Sequence, residues 1–319
     1  MSFRQIVGHA KSIAILRRIA ASGRIAHAYL FIGPEGTGRK MSATAFIAAL
    51  FCGTDDPCGS CPSCRKIAAG NHPDLHIVQP DGQFIKIDQV RELQRELAFR
   101  PYEAPRKTCI IDGADRFNQS SGNALLKTLE EPPGNALMIL LATTADNVLP
   151  TIRSRCQQLL FSGIPTEEIE TYLRGQGTDA ETAQVAASLA DGSISRALAL
   201  CSEEIMASRG DIIHAACNLD RQEMLPLFTL GEMFDKEREK ATQAIELLTS
   251  FWRDMLLLRS GSGRVVNRDM LPLLQREAAK RSESTIIGNI EQLGRTRSAI
   301  LRNANVRLAL DALSMKLAV

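Results

Sequence analysis

The passage from Ala28 to Leu50 constrains this 319-residue chain more than any other. An apolar run, Ala28-Tyr29-Leu30-Phe31-Ile32, passes without a polar break into Gly33-Pro34-Glu35-Gly36-Thr37-Gly38, and a helical sequence follows over Ala43–Leu50. A buried strand that turns through glycines into a helix is the opening unit of a parallel sheet, because a crossover of this kind is what returns the chain to a second parallel strand. Two more runs, Thr108–Asp112 and Ala136–Ala142, have the uninterrupted hydrophobicity of strands buried on both faces. Between them Asn123–Glu131 reads as a helix halted by Pro132 and Pro133. The first part of the chain is therefore expected to be α/β, with a parallel sheet covered by helices on both faces.

Beyond Gly163-Ile164-Pro165 the strand signal ends. Thr166 suits the N-cap of a helix from Glu167, and Glu181–Ala190 suggests another. Ile245, Leu248, Trp252, Met255 and Leu256, and later Val306, Leu310, Leu313 and Leu317, recur at helical spacing. Ser260–Gly263 reads as a loop between helices. Near the start, Ile13, Leu16 and Ala20 also fall at helical spacing with Arg17 and Arg18 on another face, an amphipathic helix of the fold rather than a leader. No stretch approaches the roughly 18 apolar residues of a membrane span, so a cytoplasmic, soluble protein is expected. Lys plus Arg exceed Asp plus Glu by only 38 to 36, and aromatics make up 5%. That balance argues against a chain that holds nucleic acid alone, by charge or by stacking.

Four of the eight cysteines crowd into Cys52-x5-Cys58-x2-Cys61-x2-Cys64, with Gly53, Pro57, Gly59, Ser60, Pro62 and Ser63 between them. Thiols this close let a short loop fold around one ion, and Zn(II) takes four thiolates tetrahedrally. Four ligands leave no position for water, so the expected role is structural. A redox pair, two pairs of ordinary thiols and an iron–sulfur site are the competing readings. Cys109, Cys156, Cys201 and Cys217 are dispersed and read as inert thiols.

Gly33 and Gly38 frame a loop of the Walker A type, Gly-x-x-x-x-Gly-Lys-Ser/Thr, with Gly36 between them and a helix N-terminus aimed at phosphate behind. The two chemical positions are altered. Arg39 stands where the lysine belongs and Lys40 where the magnesium-binding hydroxyl belongs. One residue along a helix turns a side chain by about 100°, so Lys40 does not simply replace the lysine. At the hydroxyl position an ammonium repels Mg(II). The backbone N–H groups can still receive phosphate, which leaves ATP binding open while hydrolysis is expected to be disabled. Ile110-Ile111-Asp112 ends a strand as a Walker B segment does, with Asp112 as the metal-facing acid. Gly113 follows where a water-activating glutamate belongs, and glycine cannot act as a base.

HAYLFIGPEGTG, the four-cysteine insert, NALLKTLEEPP, TIRSRC and NANVRLALDALSMKL, in this order and across nearly the whole chain, resemble the clamp-loader subunits of bacterial DNA polymerase III. Each segment alone is a weak signal, and together they are specific. Motor subunits of that family, gamma and tau, have intact Walker motifs; the delta-prime type has this length and commonly a decayed loop, so the resemblance is to delta-prime. It implies a RecA-like AAA+ domain over residues 1–162 with a zinc-binding insert at about 52–64, a helical lid over 163–205 and an all-α collar over 206–319. It implies that Arg155, between Ser154 and Cys156, is an arginine finger acting in trans on the adjacent subunit's ATP, a task suited to a planar, permanently charged guanidinium. Arg196 matches the lid arginine that senses nucleotide, and Thr143 and Thr144 fall at the first sensor. The implied partners are gamma/tau and delta subunits in a hetero-pentameric ring, with the sliding clamp and primer–template DNA reached mainly through the complex.

Three functions stand against one another on the sequence: a non-hydrolysing assembly subunit, an active ATPase motor subunit with an unorthodox loop, and an autonomous zinc module on DNA. Taken from residue type alone, Arg155 is an ordinary surface arginine. The defects at Arg39, Lys40 and Gly113 beside an intact Ser-Arg-Cys favour the first.

Overall fold

The computed structural model describes residues 2–201, 203–219, 223–235, 237–262 and 265–318. Its two compact units are Met1–Tyr172 with Gly192–Ser195, and Leu173–Asp191 with Arg196–Val319.

In the first unit the order of elements is α1 (Ala10–Ser22), β1 (Ala28–Ile32), α2 (Arg39–Cys52), α3 (Pro62–Ala68), β2 (Leu75–Val78), α4 (Ile87–Ala98), β3 (Thr108–Asp112), α5 (Gln119–Glu130), β4 (Leu137–Ala142), α6 (Pro150–Arg153), β5 (Gln157–Leu160) and α7 (Thr166–Gly175), the last of which runs on into the second unit. The five strands form one parallel sheet in the order β2-β3-β4-β1-β5. All residues of β1 are buried, and their alternation serves two cores. Ala28, Leu30 and Ile32 pack toward α4 and α5, with Leu93, Leu97, Leu125 and Leu129. Tyr29 and Phe31 pack toward α1 and α2, with Leu16, Phe46 and Ile47. This is the RecA-like AAA+ sheet expected from the sequence, with helices on both faces.

The order places β1 between β4 and β5, so the loop after β1 leaves the sheet where its neighbours belong to the far end of the domain. Ligands of such sheets bind at the carboxyl ends of the strands near a point of this kind. Gly33 makes the exit possible. A Cβ there would lie 1.9 Å from Phe161 O, a backbone atom that cannot retreat cheaply.

Two strands, β2 and β5, carry no clear sequence signal. Both are edge strands: Ile77 is 45% and Leu160 69% exposed, so neither run is apolar throughout.

The second unit is helical, and no strand occurs after Leu160 among the described residues. Its helices are α8 (Ala180–Leu189), α9 (Ile194–Leu200), α10 (Glu203–Cys217), α11 (Met224–Met233), α12 (Arg238–Arg259), α13 (Leu271–Lys280), α14 (Glu283–Leu301) and α15 (Val306–Leu317), α9 beginning at the boundary. Ile245, Leu248, Trp252 and Met255 are buried on α12, as are Val306, Leu310, Leu313 and Leu317 on α15. A polar network fixes the turn after α12. Asp254 accepts from the N–H groups of Val266 and Asn267, and buried Arg209 donates to Asn267 at 2.6 Å and Asp269 at 2.5 Å. Gly263 of the expected interhelical loop lies outside the described residues. No helix among those described is long and apolar enough to cross a membrane.

Candidate functional site

The glycine loop closes into a helix N-terminus. Gly38 caps α2 in the left-handed region, at φ 96°, and its carbonyl accepts from Ser42 N at 2.8 Å. Thr37 Oγ1 donates to Pro34 O at 2.9 Å, and His9 Nε2 lies 2.8 Å from Thr37 O. Gly36, also at positive φ, passes so near Ser193 and Ser195 that a Cβ would collide with Ser193 Oγ. Beside the loop opens a cavity of about 650 Å³ whose walls include Gln5, Ile6 and Val7, Ile164 and Tyr172, and the loop's own Thr37 and Lys40 with Asp112. The N-terminal wall was not legible in the sequence, since nothing in Gln5-Ile6-Val7 signals a long-range contact.

Both altered positions of the loop are engaged. Arg39 is buried and donates through Nη1 to Ala142 O at the end of β4. Burial pushes its pKa down, while Asp112, Asp115 and Glu35 act in the opposite sense. Lys40 Nζ lies 3.1 Å from Asp112 Oδ2, which also accepts from Gln79 Nε2 at 3.3 Å. The carboxylate at the end of β3 is thus paired with a covalently held ammonium. Gly113 adopts φ 104°, where side chains are strained, and a Cβ would meet Pro80 Cγ at 3.0 Å. Thr143 Oγ1 donates to Asp115 Oδ2 at 2.5 Å, while Thr144 faces solvent. Asp115, three residues beyond Asp112, was not singled out in the sequence.

Ser154, Arg155 and Cys156 follow the short helix α6. Arg155 Nη1 donates to Thr151 O at 2.9 Å and to Ser154 Oγ at 3.3 Å, and Nη2 donates to Glu130 Oε1. Its side chain remains 35% exposed. Cys156 is half-buried against the core, and burial pushes its thiol up to about 12. Arg196 belongs to the second unit, where Nη2 lies 3.2 Å from Glu246 Oε2, and Arg297 binds the same carboxylate at 2.6 Å.

The cysteine cluster closes as the spacing requires. Cys52 ends α2, Cys61 caps α3 and Cys64 lies on its first turn, and the four sulfurs lie within 4.8 Å of one another. Zn–S bonds of about 2.3 Å place tetrahedral sulfurs roughly 3.8 Å apart, so a small contraction completes the site. Cys58 Sγ accepts from Ser60 Oγ at 3.5 Å and Cys61 N at 3.3 Å, and Cys61 Sγ accepts from Cys64 N at 3.4 Å. Those donors, Ser60 first, hold the Cys58 thiol down at about 5, whereas burial pushes Cys64 up to about 12. A bound dication would bring all four to thiolate. The set fits a metal ion.

The loop between Cys52 and Cys58 also ties down residues 2–4. Asp56 Oδ1 accepts from Ser2 Oγ at 2.8 Å and Phe3 N at 3.0 Å, Arg4 Nε lies 3.3 Å from Asp56 Oδ2, and Arg17 Nη2 donates to Asp55 at 2.9 Å.

The fold is of the AAA+ type, and the loop and strand end that line its cleft carry Arg39, Lys40 and Gly113. A family described as "DNA polymerase III, delta subunit" matches residues 8–165, and "DNA polymerase III, delta subunit, C terminal" matches 204–315. The chain is 31% identical over 301 residues to DNA polymerase III subunit delta' of Bacillus subtilis (strain 168), covering 92% of this chain and 91% of that one. It is also 31% identical to subunit tau of the same organism, over 82% of this chain but only 51% of tau. A gamma subunit-related protein of Thermotoga maritima aligns over 91% of this chain and 99% of its own, with a TM-score of 0.45 and 18% identity. The chain belongs to the delta-prime family of DNA polymerase III clamp-loader subunits.

Proposed function

We propose that this chain is a non-hydrolysing clamp-loader subunit that completes a neighbour's ATP site through Arg155. The observation that carries the reading is the ion pair of Lys40 with Asp112. A working site brings Mg(II) to that acid, where the metal bridges and neutralises the β- and γ-phosphate oxygens. Here the acid already has a positive partner, and Gly113 supplies no base for water. By contrast, Arg155 is half-buried, and its three contacts leave about two of its five N–H donors uncommitted. Its guanidinium is the group that stabilises a transferring phosphoryl from a second subunit. Residues 1–162, 163–205 and 206–319 serve in this reading as the AAA+ domain, lid and collar, the collar joining a hetero-pentameric ring with gamma/tau and delta subunits. The sliding clamp and primer–template DNA are met through that complex.

Cys52, Cys58, Cys61 and Cys64 hold a structural Zn(II), whose chemistry is to bind four thiolates and fix the loop they share. Arg196, paired with Glu246, is assigned a structural part.

The test is DNA-stimulated ATP turnover by a reconstituted complex carrying the wild-type chain or Arg155→Ala. A fall on the order of 10³ with the ring assembled supports the finger. Unchanged turnover removes it. The similarity to tau keeps a motor subunit as the second reading, and magnesium-dependent ATP hydrolysis by this chain alone would establish that instead.

A further inference from the structure

The helix that ends in Leu129-Glu130-Glu131-Pro132-Pro133 has no part in the function so far, yet it ends against the expectations of helix chemistry. The C-terminus of a helix carries partial negative charge and favours lysine or arginine there. α5 has Lys127 in its last turn, as expected, but its final residue is Glu130 and its C-cap Glu131, two carboxylates at the negative end. Pro132 and Pro133 fix that end, since neither can continue the helix. A carboxylate held at this position has a reason if a cation stands opposite, and Glu130 Oε1 is the acceptor for Arg155 Nη2.

We infer that Glu130 is a positioning residue for Arg155, holding the guanidinium in its working orientation before the neighbouring subunit's nucleotide arrives. The inference rests on the reading of Arg155 as a finger. Three contacts converge on the guanidinium, from Thr151 O, Ser154 Oγ and Glu130 Oε1. A guanidinium has five N–H donors, so about two remain, the number a bidentate phosphate contact uses. The arginine is thereby oriented without being used up. Thr151 O and Ser154 Oγ belong to its own segment, at four residues and one residue distance, and fix only the Nη1 end. Glu130, 25 residues away on α5, supplies the one contact that fixes the plane against the body of the domain. Order in a catalytic group ahead of the reaction is worth rate, because a displacement of about 1 Å can cost roughly a hundredfold. Glu130 touches no substrate and acts through Arg155 alone.

The experiment uses the reconstituted complex with DNA, and compares wild type, Glu130→Gln, Glu130→Asp, Arg155→Ala and the Glu130→Gln/Arg155→Ala double variant. Glu130→Gln is expected to lower kcat for ATP roughly tenfold with KM unchanged and the ring intact by gel filtration. Glu130→Asp, which keeps the charge, restores part of the loss. On the Arg155→Ala background Glu130→Gln adds no further loss. An equal effect of Glu130→Gln on both backgrounds, or none on wild type while Arg155→Ala lowers turnover, overturns the inference and leaves the finger standing. Full turnover in Arg155→Ala overturns the finger reading itself, and the inference with it.

Discussion

Lys40 and Asp112 lie 3.1 Å apart, so the positive charge that meets the strand-end acid of this cleft is part of the polypeptide. A counter-ion that is part of the chain should make nucleotide binding in the cleft insensitive to magnesium. ATP affinity of the wild-type chain is therefore expected to be the same with and without Mg(II) in titration calorimetry. Arg39→Lys with Lys40→Thr restores the chemical positions of the loop, and magnesium should then tighten ATP binding by about tenfold or more, roughly 1.4 kcal/mol. A wild-type chain that already shows that magnesium dependence would contradict the argument.

Recovery of binding should not bring recovery of hydrolysis. Position 113 sits at φ 104°, and an L-residue there costs roughly 1–2 kcal/mol of backbone strain. Gly113→Glu in the restored-loop background is expected to lower the urea midpoint and to leave turnover at background. Turnover on the motor scale of about 1 s⁻¹ or faster, without loss of stability, would show that the backbone relaxes freely.

Metal removal should be felt at the chain start. Asp56 lies between the first two cysteine ligands and binds Ser2 and Phe3, whose neighbours Gln5, Ile6 and Val7 wall the cavity. Hydrogen bonds to a charged group contribute about 1.5–3 kcal/mol. Chelation should accelerate amide exchange at residues 3–7 by roughly tenfold or more. Asp56→Asn should do so with the metal retained and without loosening residues 61–68. Exchange that is unchanged at 3–7 after chelation would separate the two features.

Asp74 provides an acid-sensitive lock. Burial alone would raise its pKa, but the N–H groups of Glu103, Tyr102 and Ala104, with Lys107 at 3.2 Å, override it and hold the carboxyl down at about 2, against 3.8 unfolded. A depressed pKa stabilises the fold above the unfolded value, and that contribution is lost as pH falls from 3.8 toward 2. Asp74→Asn should cost about 3 kcal/mol near neutrality, because it removes the carboxylate from the buried Lys107 ammonium, which keeps only Pro73 O and the Tyr102 ring. It should also flatten the acid limb of a stability profile measured by urea unfolding. A variant as acid-sensitive as wild type would show that other carboxyls govern that limb.

The sheet was legible wherever both faces are buried. Ala28–Ile32 and Thr108–Asp112 appear as strands at the expected bounds, and Leu137–Ala142 starts one residue later than the apolar run. β2 and β5 escaped because an edge strand is half in water: Leu75-His76-Ile77-Val78 and Gln157-Gln158-Leu159-Leu160 mix polar and apolar residues over too few positions to show a period. The altered loop chemistry was legible because it lies in one contiguous motif. The partners of its side chains were not. Lys40 meets an acid 72 residues away, and Arg155 meets Glu130 across two elements, pairings that follow from strand order and not from local pattern.

The tie between Asp56 and Ser2 spans 54 residues, and its far end sits in the loop between Cys52 and Cys58. During synthesis Ser2 and Phe3 emerge well before the acid that holds them, and Asp56 precedes the cysteines at 58, 61 and 64 that close its loop. One wall of the cavity is thus made early and fastened late. Loss of a bound metal would therefore free Asp56 first and, through it, the backbone of residues 2–7, so an ion with no part in phosphate chemistry would set how firmly one wall of the cavity is held.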